Sequence, residues 1–277
     1  MSTTTAPAPV SAAATAPRGK VTQPRVLKSE WIKFRSLRST YLSLLIGMVV
    51  MIGIAALACW AVANRWPSMP AMEKAGFDPA GRSIDGFFFA QLAVGVLGVM
   101  VVTGEYSTGM IRATLSAVPR RLPVLWAKTA VFGGVTFVVT SVTALISFFV
   151  GQAMLSSQHI QTSLSASGVP RVVFGTAIYL TLVGLFGVGL GTVVRSTPGG
   201  ISSLFGALLV LPLILHALPT SWANDIGPYL PSNAGQALTT LHPDPHTLAP
   251  WTGCGVFALY VVASIIGGAI VLKRRDA

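Results

Sequence analysis

The residues of this chain best placed to do chemistry lie in 104–121, GEYSTGMIRATLSAVPRR. There one carboxylate, three arginines and a proline interrupt two long apolar runs. Glu105 stands where a loop helix would begin, a position where the helix dipole favours a carboxylate and backbone N–H groups can bond to it. Residues 110–118 can continue as a helix, and Pro119 ends it, because the residue before a proline is pushed out of the helical region. Arg121 can form a bidentate pair with a carboxylate on a partner, while Arg120, Arg121 and Lys128 approach an anionic lipid surface. This is recognition chemistry rather than bond breaking. The chain has no H-E-x-x-H, no G-x-S-x-G and no carboxylate pair within its apolar runs, so an enzyme is not expected. From the residues alone, the stretch serves equally well as an ordinary basic loop.

The elements that must position it are membrane spans. The chain has 277 residues, of which 52% are hydrophobic and only 10% charged, and its net charge is +11. A soluble domain carries about 25% charged residues. The excess of cations flanks apolar runs instead of clustering beside polar or aromatic readers, which argues against nucleic acid and for an integral membrane protein. About 20 apolar residues cross the hydrocarbon as a helix. Six stretches qualify, at about 41–63, 86–103, 129–155, 172–194, 201–218 and 251–272, none containing Asp, Glu, Lys or Arg. The fold expected is therefore all-α and integral to the membrane. Between the fourth and fifth spans only RSTPGG intervenes, a tight turn. Fifteen Lys and Arg residues lie in the termini and alternate loops, against four in the remaining loops. That bias places both termini, and the 104–128 loop, in the cytoplasm. Residues 1–24, rich in Ala, Thr and Pro, read as a disordered tail and not as a signal peptide.

Before the first span, Leu27, Trp31, Phe34, Leu37 and Tyr41 recur at helical spacing, with Lys28, Lys33, Arg35 and Arg38 mostly elsewhere round the wheel. An apolar face, a basic face and a Trp describe a helix lying in the headgroup layer against anionic lipids. The last outer loop, 219–250, holds six prolines and neither Lys nor Arg. Within it Asn233 and Gln236 suggest a variant capping box opening a short helix. His242 and His246 in HPDPH are not expected to bind metal, because the prolines prevent a shared helical face and no third ligand is evident. Gly184, Gly187, Gly189 and Gly191 allow close helix approach in the fourth span. Gln91, Gln152 and His216, the most polar side chains in or beside the spans, either line a path or bond to neighbouring helices. Cys59 and Cys254 fit no zinc or redox spacing, and no disulfide between them is expected.

Glu105, Gly109, Ile111, Arg112, Leu115, Pro119 and Arg121, with Lys128 following, resemble the E-x-x-x-G-x-[LI]-x-x-x-L-x-x-x-P-x-R…K pattern of ABC type 2 transporter permeases, the export-type membrane subunits of ATP-binding-cassette systems. The basic N-terminal helix, six spans and Pro-rich last outer loop are similar to actinobacterial members. The resemblance covers residues 25–277, which it implies form a single transmembrane domain. It further implies a multi-pass protein of a bacterial plasma membrane, paired with a second permease copy or paralogue. Residues 105–121 would form a coupling helix, with Glu105, Gly109, Arg112, Leu115, Pro119 and Arg121 docking on a cytoplasmic ATPase dimer. Trp31, Phe34, Arg35 and Arg38 would belong to an interfacial helix. The chain has no phosphate-binding G-x-x-x-x-G-K-[ST] loop, so it binds no cofactor of its own on this reading, and ATP with Mg is held by the partner subunit. The alternative, a secondary transporter driven by an ion gradient, would usually carry intramembrane Asp, Glu or His relays.

Overall fold

The computed structural model describes residues 22–36, 38–111, 114, 121–217, 219–242 and 245–274. Among these residues every regular element is helical. A helix before the first span, α1 (Gln23–Ser36), is followed by six long helices. These are α2 (Arg38–Arg65), α3 (Phe87–Ser107), α4 (Arg121–Leu155), α5 (Val169–Val194), α6 (Thr197–His216) and α7 (Pro250–Arg274). Six of the helices are long and apolar enough to cross a membrane. The chain is a multi-pass helical membrane protein. Residues 1–21 of the expected tail lie outside the described residues, and Gln23 and Pro24 already belong to α1.

The helices outrun the apolar windows that define them in the sequence. Once a helix is nucleated each further residue adds a hydrogen bond, so it continues into polar flanks until a breaker stops it. α3 runs on to Ser107 and α4 begins at Arg121, not near residue 129. Pro123 does not interrupt α4, because a first-turn proline has no intrahelical N–H bond to lose. These extensions carry Glu105 and Lys128 into the ends of two spans, which the apolar windows had left free of charge.

At the centre stands α5, the most buried of the spans, while α6 is the least. Its glycines make the contacts possible. A Cβ on Gly98 of α3 would sit 2.0 Å from the Gly184 carbonyl oxygen, and one on Gly187 would sit 2.4 Å from that of Gly95. Backbone therefore touches backbone along the α3–α5 seam, whereas Gly189 makes room chiefly for the Ser264 side chain of α7. The chain turns within the expected RSTPGG stretch, but at Arg195 and Ser196 alone, while Pro198, Gly199 and Gly200 already belong to the first turn of α6. Arg195 takes a left-handed conformation (φ 57°) and caps α5, and the Ser196 side chain caps α6. α6 widens into a π-helical stretch over Gly206–Val210. Pro212 follows it, and a proline there lacks the N–H that would bond the preceding turn, which is a recognised cause of such widening.

On the face opposite α1, a short helix spans Pro231–Gln236. It begins two residues before the expected cap: Leu230 takes the cap position with no side-chain bond, and the Asn233 amide donates to the Gly227 carbonyl at 2.9 Å. Proline at the first helical turn replaces a polar cap as the start signal.

Candidate functional site

Where α1, α3 and α4 meet, four charged side chains are gathered in a largely buried cluster. Glu30 of α1 is 4% exposed, Glu105 of α3 6% and Lys128 of α4 6%. Lys128 Nζ donates to Glu30 Oε2 at 2.8 Å and to Glu105 Oε1 at 2.9 Å. Lys33 Nζ donates to Glu30 Oε1 at 2.8 Å, to Glu105 Oε1 at 3.2 Å and to Thr114 Oγ1 at 3.1 Å. Two carboxylates and two ammoniums neutralise one another, which is the condition for burying charge at all.

The cluster exists because of what each helix does locally. On α1, Val26, Glu30 and Phe34 form a single stripe four residues apart that turns inward. Phe34 packs edge-on against Phe132 of α4 with ring centroids 6.3 Å apart. The Gln23 amide donates to the Pro123 carbonyl at 3.2 Å and pins the start of α1 to the start of α4. Of the face expected to enter the lipid, Trp31 and Leu27 do point away from the bundle, whereas Phe34 points into it. Arg35 is exposed, and Arg38 opens α2 rather than continuing α1. Leu37 lies outside the described residues.

Glu105 lies in the last turn of α3, not at the start of a loop helix. The helix dipole disfavours a carboxylate there, so the two lysines stabilise it against both burial and dipole. Lys128, expected at the lipid surface, is buried instead because α4 starts early enough to carry it into the bundle. Burial alone would raise the Glu30 carboxyl, but Lys128 and Lys33 outweigh it and hold the group below its ordinary value. For Lys33, burial alone would lower the ammonium, and Glu30 and Glu105 together raise it.

Gly109 follows α3 in a left-handed conformation (φ 71°) that glycine adopts without strain. Ile111 is buried. Arg112, Leu115 and Pro119 lie outside the described residues, and Arg121 is the first residue of α4. A second tie at the same end joins α5 to α7 and α3. Arg195 Nη2 donates to the Val271 carbonyl at 2.9 Å, and its guanidinium lies 5.3 Å from the centre of the Tyr106 ring.

The three polar residues weighed as path-lining lie apart from this cluster. Gln91 is fully buried and accepts from the Tyr179 hydroxyl, which in turn accepts from Gln236 Nε2 at 3.3 Å. Gln152 donates to the Pro79 carbonyl at 3.0 Å and Ser83 Oγ at 2.8 Å, and accepts from the Thr162 N–H at 2.6 Å. Both amides therefore bond neighbouring elements inside the bundle. His216 ends α6. His242 and His246 border a cavity of about 670 Å³ at the end of the bundle opposite α1, and among the described residues no three His, Cys, Asp or Glu side chains converge as metal ligands would. Cys59 and Cys254 are both free thiols.

Apolar spacing alone does not single out Glu30, and Lys33, expected on a basic face toward anionic lipid, bonds Glu30, Glu105 and Thr114 instead. The signal available was the i, i+4, i+8 run Val26, Glu30, Phe34, which puts a carboxylate on a helical face between two apolar residues. No protein-family model matches this sequence, and no curated protein does either.

Proposed function

We propose that this chain is the permease subunit of an ATP-driven exporter, with α1 and the 108–120 segment facing the cytoplasm of a bacterial cell. Two such subunits would enclose the path, and a separate ATPase dimer would bind and hydrolyse ATP with Mg. The observation that carries this reading is that Lys33, paired with Glu30 on its own helix α1, reaches two further elements at once: Glu105 of α3 and Thr114 of the connecting segment. A force on that segment passes through buried ion pairs to the ends of α3 and α4. That is what an external motor needs in order to tilt spans between two states. Glu105 acts here by positioning the segment, not by touching the partner, since it is buried. Direct docking falls to residues such as Arg112 and Arg121. Ion-gradient transport is the weaker reading. The charges of the cluster neutralise one another at the ends of spans, and the apolar runs beyond them hold no Asp, Glu, Lys or Arg that could continue a relay toward the bilayer centre.

The test is to purify the tagged full-length chain from its native membranes in mild detergent and assay ATP hydrolysis. A co-purifying ATPase whose turnover is stimulated by the chain is expected. Arg121→Ala should abolish the stimulation while leaving membrane insertion intact. Hydrolysis that is absent, or identical without the chain, would sink the proposal.

A further inference from the structure

The last part of α6 stands apart from the bundle. Beyond the π-helical stretch Gly206–Val210, residues Leu211–His216 pack chiefly on that stretch and on the short helix Thr220–Ile226 that follows. The short helix packs chiefly on Leu211–His216 and on the next turn, Gly227–Tyr229. The two helices are therefore held at their ends and hardly between them. Leu211, Leu213, Ile214, Trp222 and Ile226 are all exposed.

Beneath them lies the cavity of about 670 Å³ that His242 and His246 border. Pro212, Leu215 and Ala223 of the two helices form its roof, and Asn233, Gln236 and Thr240 form its floor. The floor is fixed. A Cβ on Gly235 would lie 2.6 Å from both the Tyr179 and the Phe257 ring, and one on Gly253 of α7 would lie 2.3 Å from the Ala234 carbonyl oxygen. The floor helix is thus locked onto α5 and α7. The roof, by contrast, is built to bend. Pro212 has no N–H to return to the preceding turn, so a bend there breaks no bond of its own. A Cβ on Gly206 would meet nothing within 4 Å, so that side of the π-helical stretch is open. At the far end the Asn233 amide donates to the Gly227 carbonyl at 2.9 Å and ties the roof to the floor.

We infer that Leu211–His216 and Thr220–Ile226 form a lid that pivots about the π-helical stretch and closes over this cavity. Closing buries Leu215 and Ala223, which favours it, and strips water from Asn233 and Thr240, which opposes it. Opposing terms of this kind leave two states within reach of each other. Closure also covers Gln236, whose amide donates to the fully buried Tyr179 hydroxyl at 3.3 Å. The lid therefore decides whether water reaches the polar link into the core of the bundle. The movement belongs to the chain itself and does not depend on what drives transport.

The test is pulsed electron paramagnetic resonance on the full-length chain in lipid nanodiscs. Cys59→Ala and Cys254→Ala remove the native thiols, and spin labels are attached at Ser221→Cys on the lid and Thr252→Cys on α7. Both positions are exposed, and neither borders the cavity. Dilution with unlabelled chain removes distances between copies. Two distance populations are expected, one matching this structure and one from the closed lid. Pro212→Ala, which restores an N–H donor and stiffens the pivot, should abolish the second population. Ala223→Trp, which fills the cavity from the roof, should abolish it too. A single distance in the labelled chain without either change would overturn the inference and mean that the roof is rigid. A second population that survives in normally eluting Pro212→Ala or Ala223→Trp protein would overturn it as well, since the pivot or the closing surface would lie elsewhere. The first measurement decides the matter whether or not the variants fold.

Discussion

At the end of the bundle that carries α1, helices are joined by ion pairs: Lys128 and Lys33 hold Glu30 and Glu105 across three helices. At the opposite end, among the described residues, no buried ion pair joins the helices: Arg171 there reaches only the carbonyls of Leu238 and Leu241, and the closest contacts are between neutral groups. Ser147 Oγ donates to the Ser83 carbonyl at 2.8 Å, Gln152 reaches Ser83 and Pro79, and the backbone at Gly86 lies against Met51. The difference teaches where rearrangement is easy. A neutral seam of small residues and amides is short-ranged and fails by steric clash. A neutralised ion cluster holds at longer range and can be re-paired, but it is intolerant of losing a single partner. The connecting segment is attached to the second kind.

The comparison breaks most visibly at Lys128. Lys128→Met leaves two buried carboxylates facing one remaining lysine, and it should destabilise the protein by about 4 kcal/mol, within the range for breaking a buried pair. Thermal unfolding in detergent micelles, followed by circular dichroism, measures this. Adding Glu30→Gln to Lys128→Met should recover a large part of the loss. Additive effects would mean that the residues do not act as one unit.

Next in size is the neutral packing. Gly98→Ala places a methyl against the Gly184 carbonyl, where neither backbone can yield, and should destabilise by about 3 kcal/mol. Gly53→Ala, whose Cβ would meet nothing within 4 Å, should be neutral or stabilising by up to about 1 kcal/mol, and serves as the control. A smaller effect is expected at Gln152. Replacement by Leu strips three hydrogen bonds from Pro79, Ser83 and Thr162 and should destabilise by about 2 kcal/mol. On the proposed function, and unlike Lys128→Met, it should leave the stimulation of a partner ATPase unchanged in molecules that remain folded.

The smallest effect distinguishes the two ends by sign. The Glu30 carboxyl is held below its ordinary value, so its contribution is complete above the unfolded carboxylate range and is lost as pH falls through the folded value. Lys33 is raised, so its contribution is complete below the unfolded ammonium range and is lost only in strong base. At the opposite end Asp85 is raised by burial, which Arg82 offsets only in part, so acid favours the folded state there. Unfolding temperatures between about pH 3 and 7 should therefore fall less steeply toward acid in Glu30→Gln than in the unaltered chain. In Asp85→Asn they should fall more steeply. The same slope in all three proteins would contradict both assignments.

The sequence by itself determined the membrane class, the six helices, the break between α5 and α6 and the close glycine contacts of α5. These follow from local quantities, namely apolar run length, the proline and glycine signals, and the absence of side chains at particular positions. It also picked out Glu105 and Lys128. What only the tertiary structure decided was their meaning. Helices that continue past their apolar windows carried Glu105 and Lys128 inward, and α1 rotated so that Glu30, not Trp31, faced the bundle. Pairing across 98 residues, as between Lys128 and Glu30, leaves no trace in spacing. Burial of a charge is decided by which helices meet, and that depends on the packing of the whole bundle and not on any one segment.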